Sequence, residues 1–211
     1  LIVNHEGAIA LDARVRVSAR LPAGAANFAI RPYPAELTET IDWQGQRLTL
    51  RPVRPEDEAR HRAFVDSLAP EDLRMRFFYS RRVMARSELA RLVQVDYTRE
   101  MAFIATVTGA HGEETTLGVA RAIADPDNIG AEFGIILRPE MKGTGLGRVL
   151  MDKLIRYQRA AGTQQLVATV LTENERMRQL GQALGFSERA TPGDASTQEL
   201  VLELQSPAQR A

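Results

Sequence analysis

Cysteine is absent from the 211 residues. That excludes disulfides, thiolate metal sites and a cysteine nucleophile. Lysine is almost absent too: among 27 basic side chains only Lys142 and Lys153 are lysines. The histidines, His5, His61 and His111, are scattered without ligand spacing, so no metal site is expected. No apolar run approaches the ~20 residues of a membrane helix. The start, Leu1 to Gly7, has no basic segment ahead of an apolar stretch, so no export signal is read. Net charge is zero, which excludes a broad electrostatic footprint for nucleic acid. These absences predict a cytoplasmic chain without nucleic-acid or membrane partners, and they leave the oligomeric state open. What is present, 44% apolar and 26% charged residues, is ordinary for a soluble globular protein of one domain. Because it opens on Leu1, the chain is expected to be a piece of something longer.

Organisation changes along the chain. Residues 1–17 predict a hairpin turning at Asn4 to Gly7. Residues 18–47, with Pro22, Gly24, Pro32 and Pro34 and no sustained period, are expected to be linker. From 48 the pattern is orderly: a strand at Leu48 to Val53, then helices opening at Pro55, Pro70 and Ser87. Proline or acids in the first turn mark each of those starts. Apolar, β-branched runs follow at Met101 to Thr108 and Thr115 to Ala124, with a strand at Ala131 to Leu137. Leu146, Leu150, Leu154, Tyr157 and Ala161 recur at helical spacing, and Gly162 ends that helix. A strand at Leu166 to Leu171, a helix from Glu173 closed by Gly185, and a strand at Gln198 to Leu204 complete the order. The expected fold class is α/β (α+β): a mixed sheet with helices on both faces.

The segment from Ile135 to Arg148 runs strand, glycine loop, helix. Glycine lets successive amides approach a ligand without Cβ obstruction. The first helical amides are unpaired and partly positive, which suits a phosphate or pyrophosphate. Lys142 and Arg148 add full charges. No Gly-Lys-Ser/Thr follows, so this is not a Walker loop, and no βαβ unit begins there, which disfavours a dinucleotide fold.

Lys142-Gly143-Thr144-Gly145-Leu146-Gly147 resembles the acyl-CoA pyrophosphate loop of the GCN5-related N-acetyltransferase (GNAT) family. Asn174 at a strand end, followed by a helix closing on Gly185-Phe186, resembles that family's next motif. The likeness spans 48–205, with 206–211 as a tail. Arg76-Phe77-Phe78, Val95 to Ala102 and Ala131-Glu132-Phe133 are similar to the acetyltransferase domain of bacterial Pat-type protein lysine acetyltransferases. Many of those follow a region resembling NDP-forming acyl-CoA synthetases. Gly7 to Arg14 is similar to the closing strands of its ATP-grasp part, so 1–17 is expected to be its remnant. Asp12 would match a metal-binding Asp there, but its partner is missing and no metal site is transferred.

The resemblance implies a mixed, mostly antiparallel GNAT sheet, acetyl-CoA as cosubstrate, and transfer to an amine. Acceptors are expected to be protein lysines, with acyl-CoA synthetases as candidates. A small-amine N-acetyltransferase and a non-catalytic acyl-CoA sensor are the alternatives. Lysine is almost wholly protonated at neutral pH, so a carboxylate must take a proton. Glu132, alone in an apolar strand and expected to sit desolvated beside Phe133, matches the catalytic Glu of Pat-type enzymes. Amides of Gly134, Ile135, Ile136 and Leu137 are expected to polarise the thioester carbonyl. Lys142, Gly143, Thr144, Gly145, Leu146, Gly147 and Arg148 would hold pyrophosphate, and Asn174 the pantetheine arm. Many family members carry a tyrosine, which protonates the leaving thiolate, where this chain has Gly181. Six arginines, Arg74, Arg76, Arg81, Arg82, Arg86 and Arg91, together with the turn Asp96-Tyr97-Thr98, suggest a docking surface.

Overall fold

Met101 to Ala105 are buried on both sheet faces, as a near-continuous apolar run requires of a central strand. In a computed structural model, which describes residues 2–4, 7–9, 31–78 and 84–204, this run is β5 of an eight-stranded sheet. The order across it is β3-β4-β5-β6-β7-β8-β10-β9. The strands are β3 (Glu39–Trp43), β4 (Gln46–Pro52), β5 (Glu100–Thr108), β6 (Glu114–Ala124), β7 (Gly130–Leu137), β8 (Gln165–Leu171), β9 (Ser187–Ala190) and β10 (Thr197–Glu203). All neighbours are antiparallel except β7 and β8. A separate short hairpin joins β1 (Ile2–Asn4) to β2 (Gly7–Ile9). The rest of the hairpin expected over 1–17, residues 18–30 of the segment expected to be linker, and the tail lie outside the described residues.

Helices α1 (Glu58–Asp66), α2 (Pro70–Phe77) and α3 (Arg86–Val93) follow β4. α4 (Leu146–Ala160) joins β7 to the parallel β8, and α5 (Glu175–Leu184) follows β8. On α4, Leu146, Leu150, Met151, Leu154 and Ile155 are all buried, the single apolar stripe that its helical period predicts. Phe103 of β5 meets Tyr157 of α4 edge-on at 5.7 Å. α1 packs on β6, and α2 on β7. A buried ionic knot ties β4 to α1 and β6: Arg51 holds Asp57 at 2.7 Å and Glu114 at 2.9 Å. Burial alone would raise the Asp57 carboxyl, but hydrogen bonds from Arg51 and Arg60 outweigh it and hold it at about 2.

The sheet begins earlier than the sequence predicts. Glu39–Trp43, expected within a linker, pairs with β4 from Glu39↔Leu50 to Trp43↔Gln46. Lys153, buried on α4, explains the attachment. Its ammonium donates to the Leu37 carbonyl at 2.6 Å, pairs with Glu39 at 2.9 Å and lies over the Phe103 ring. A buried ammonium must find such partners, and residues 37–39 supply them. No local period announces that long-range contact.

Candidate active site

β7 is paired with β6 along its length, from Gly118↔Leu137 to Ala124↔Ala131. Its pairing with β8 stops at Glu132↔Val167, and β8 continues against β10. The two strands therefore part after Glu132. Beyond Phe133 the β7 backbone has no ladder partner on the β8 side among the described residues, and its polar groups there face a cavity of about 450 Å³. Phe133 to Leu137, Ala168 to Val170, α2 and α5 line it. Gly134, Ile135, Ile136 and Leu137 all line this cavity.

At the loop end, Gly143 and Gly145 have φ of 75° and 90°, and a Cβ on either would meet nothing. Those left-handed angles, rather than crowding, demand glycine there. α4 then starts with no side-chain cap. Among the described α-helices it alone has no acid in its first turn, so its amide end is left for an anion. The side chains of this loop have partners within the chain. Lys142 lines the cavity, but its ammonium is ion-paired with Asp72 of α2. Arg148 is exposed and faces Asp152 at 3.7 Å. Thr144 Oγ1 donates to the Met141 carbonyl at 2.7 Å. Leu146 is buried in the core, and Gly147 lets α4 approach Leu137 and Leu180 of the cavity wall. Asn174 lines the cavity while its Oδ1 accepts from the Met177 amide at 3.1 Å, capping α5.

Glu132 occupies the last paired position before the strands part, between Ile123 and Val167. Its side chain is exposed, which corrects the expected apolar setting. Strand alternation sends Phe133 inward instead, where it packs on Phe186 at 5.0 Å. Glu132 lines a second recess of about 390 Å³ with Glu88, Glu100, Arg91, Arg121 and Ile123. Arg76 and Phe133 line both spaces.

Of the six arginines expected to offer a docking surface, four lie among the described residues, and Arg76 and Arg91 line the second recess. Arg74 is held by Glu71 and Glu173, and Arg86 by Glu58 at 3.4 Å. Arg81 and Arg82 lie outside the described residues. Tyr97 is buried, with its hydroxyl donating to the Val53 carbonyl at 2.7 Å; burial pushes it up to about 12. Asp96 accepts from the amides of Thr98, Arg99 and Glu100. Both are turn residues. His61 is buried beneath this face and, through burial and then the nearby Arg121, titrates at about 4. Gly181 packs inward, where a Cβ would stand 3.1 Å from Leu200 Cδ1. Sequence reasoning missed Asp72 and the position of Arg76, whose guanidinium stands where a Cβ on Gly134 would be. The signal was Gly134 itself, since an isolated glycine inside a strand marks a close approach, although it does not say of what.

The strand pair thus parts beside a glycine loop and a helix start with no side-chain cap. The domain family described as "Acetyltransferase (GNAT) domain" matches residues 47–187. Acetyltransferase PA5475 of Pseudomonas aeruginosa is 32% identical over 158 residues, covering 75% of this chain and 84% of that protein. Acetyltransferase Pat of Mycolicibacterium smegmatis is 32% identical over 157 residues, which is 74% of this chain and 44% of that protein. The solved GNAT domain of S. lividans PAT superposes with a TM-score of 0.73 at 19% identity, covering 82% of this chain and 99% of that one. The chain belongs to the GNAT acetyltransferase family and is homologous to Pat-type acetyltransferases. It is therefore an N-acetyltransferase with acetyl-CoA as cosubstrate.

Proposed function

We propose that the chain acetylates the ε-amine of lysine on a protein, with Glu132 as general base. The observation that carries this is the meeting of two spaces at Phe133 and Arg76, with Glu132 on the wall of the second. Acetyl-CoA enters the cavity between β7 and β8. Pyrophosphate rests on the loop from Lys142 to Arg148, where Gly143 and Gly145 leave open space. The β7 edge from Gly134 to Leu137 hydrogen-bonds the thioester end, and Asn174 the pantetheine arm. The acceptor comes through the other recess. The acceptor gives its ammonium proton to solvent first; the neutral nitrogen then attacks the carbonyl carbon, its surplus proton passes to Glu132 directly or through water, and the C–S bond breaks with its electron pair on sulfur. No acyl-enzyme forms.

A protein acceptor is favoured over a small amine by the form of that recess. Small-ligand sites are enclosed, with convergent polar groups. Here Ile123 stands 51% exposed at the wall, beside Glu132, an apolar contact a protein surface can cover. The Pat-like segments point to acyl-CoA synthetases as candidate substrates.

Glu132→Gln tests the base. Turnover should fall roughly 10²–10⁴-fold, while acetyl-CoA affinity by calorimetry stays near the parent value. Turnover within about threefold of the parent would remove Glu132 from the mechanism.

A further inference from the structure

Arg76 has no part in the steps above, yet it stands where they converge. α2 carries its guanidinium onto Gly134, at the start of the β7 edge. It lines the cosubstrate cavity, the acceptor recess, and a small space of about 30 Å³ beneath them walled by Phe64, Leu68 and Ile136. An amine from one side and a thioester from the other must meet beside it. A second guanidinium is near. Arg121, the Cα partner of Gly134 across the ladder, is buried, ion-paired with Glu100 and donates to the Leu92 carbonyl. Burial and then the field of Arg76 lower Arg121 to about 10. The two cations together raise the positive potential at the junction.

The transfer step builds negative charge there, first on the carbonyl oxygen and then on sulfur. The cavity wall, among the described residues, offers no tyrosine, histidine or cysteine to receive it. Gly181, the position at which a tyrosine would be expected, is packed against Leu200 and Phe186. We propose that Arg76 is a catalytic residue whose N–H groups donate to the sulfur as the C–S bond breaks. The C–N bond forms, the amine proton goes to Glu132, and CoA departs as a thiolate paired with the guanidinium. That thiolate takes its proton afterwards from water. Arg76 keeps its own, because a guanidinium does not deprotonate in this range.

The inference rests on acetyl-CoA occupying this cavity, so the parent's binding and turnover are measured first; their absence would defeat that reading and not this one. Arg76→Ala should then lower kcat about 10²–10³-fold, the scale for a lost transition-state donor. Its acetyl-CoA affinity should stay within about threefold, and added guanidinium should restore kcat by about tenfold or more. Arg76→Lys should keep more activity than Arg76→Ala. Gly134→Ala, whose methyl takes the guanidinium's place, should lower kcat in the same direction. A kcat for Arg76→Ala within about threefold of the parent overturns the proposal. So does a loss that guanidinium does not relieve in a variant with parental melting temperature. Should Arg76→Ala not fold, an unchanged kcat in Gly134→Ala overturns it as well.

Discussion

Lys142 is the one lysine in the glycine loop, and Asp72 already holds it. The carboxylate sits in the first turn of α2, nearly buried, with Oδ2 lacking a hydrogen-bond partner among the described residues. On the proposed function, a pyrophosphate arriving at the loop competes with that carboxylate for the same ammonium. Removing the competitor should help the ligand, and removing the ammonium should hurt it. Asp72→Asn is expected to tighten acetyl-CoA binding by about three- to tenfold, and Lys142→Ala to weaken it by a similar factor. Calorimetry at fixed ionic strength reads both. Opposite signs are the diagnostic; equal losses in both variants would mean the ion pair holds the cleft's shape instead.

At the scale of elements, β3 is the informative case. If residues up to 45 were a tether, deleting them would leave stability unchanged. The structure instead makes them the acceptors of a buried ammonium, Lys153. Glu39 is partly exposed but the ammonium is buried, and stranding it without acceptors costs roughly 3 kcal/mol. For a domain of this size that lowers the melting temperature by roughly 6–12 °C. Lys153→Met in the shortened chain should return part of the loss, since no charge then needs a partner. Calorimetric melting of the two shortened chains beside the parent gives the answer, and an unshifted melting temperature would restore the linker reading.

At the scale of the molecule, the cavity opens where β7 and β8 part, and the second recess adjoins it at Arg76 and Phe133. Glu132 and Gly134 share one face, with Arg121 and Ile123 opposite them on β6, and α1 and α2 pack on these strands. On the proposed mechanism, acceptor choice is a matter of what reaches the recess lined by Glu88, Glu100 and Glu132. Given a purified acyl-CoA synthetase and a polyamine at equal concentration, the protein should be labelled with the higher kcat/KM. Greater turnover of the polyamine with no labelled protein would establish the small-amine alternative.

The sequence by itself determined the elements from Leu48 onward, the short β9 excepted, because their signals are local. The helical spacing from Leu146 to Leu154 and the Gly185 terminus lie within a few turns of each residue they govern, and the match to α4 and α5 is close. It determined the family as well, since the residues from Lys142 to Gly147 and from Asn174 to Phe186 are contiguous. Alternation along β7 also places Glu132 and Phe133 on opposite faces, although it does not say which face is wet. Tertiary structure alone decided that, along with the parting of β7 from β8 after Glu132. It set Arg76 upon Gly134, tied Tyr97 down at Val53 and drew Lys153 to Leu37. Lys142 and Asp72 are 70 residues apart, Lys153 and Leu37 116. A periodic pattern reports which way a side chain turns; what stands opposite depends on how distant strands and helices pack, and no local window contains that information.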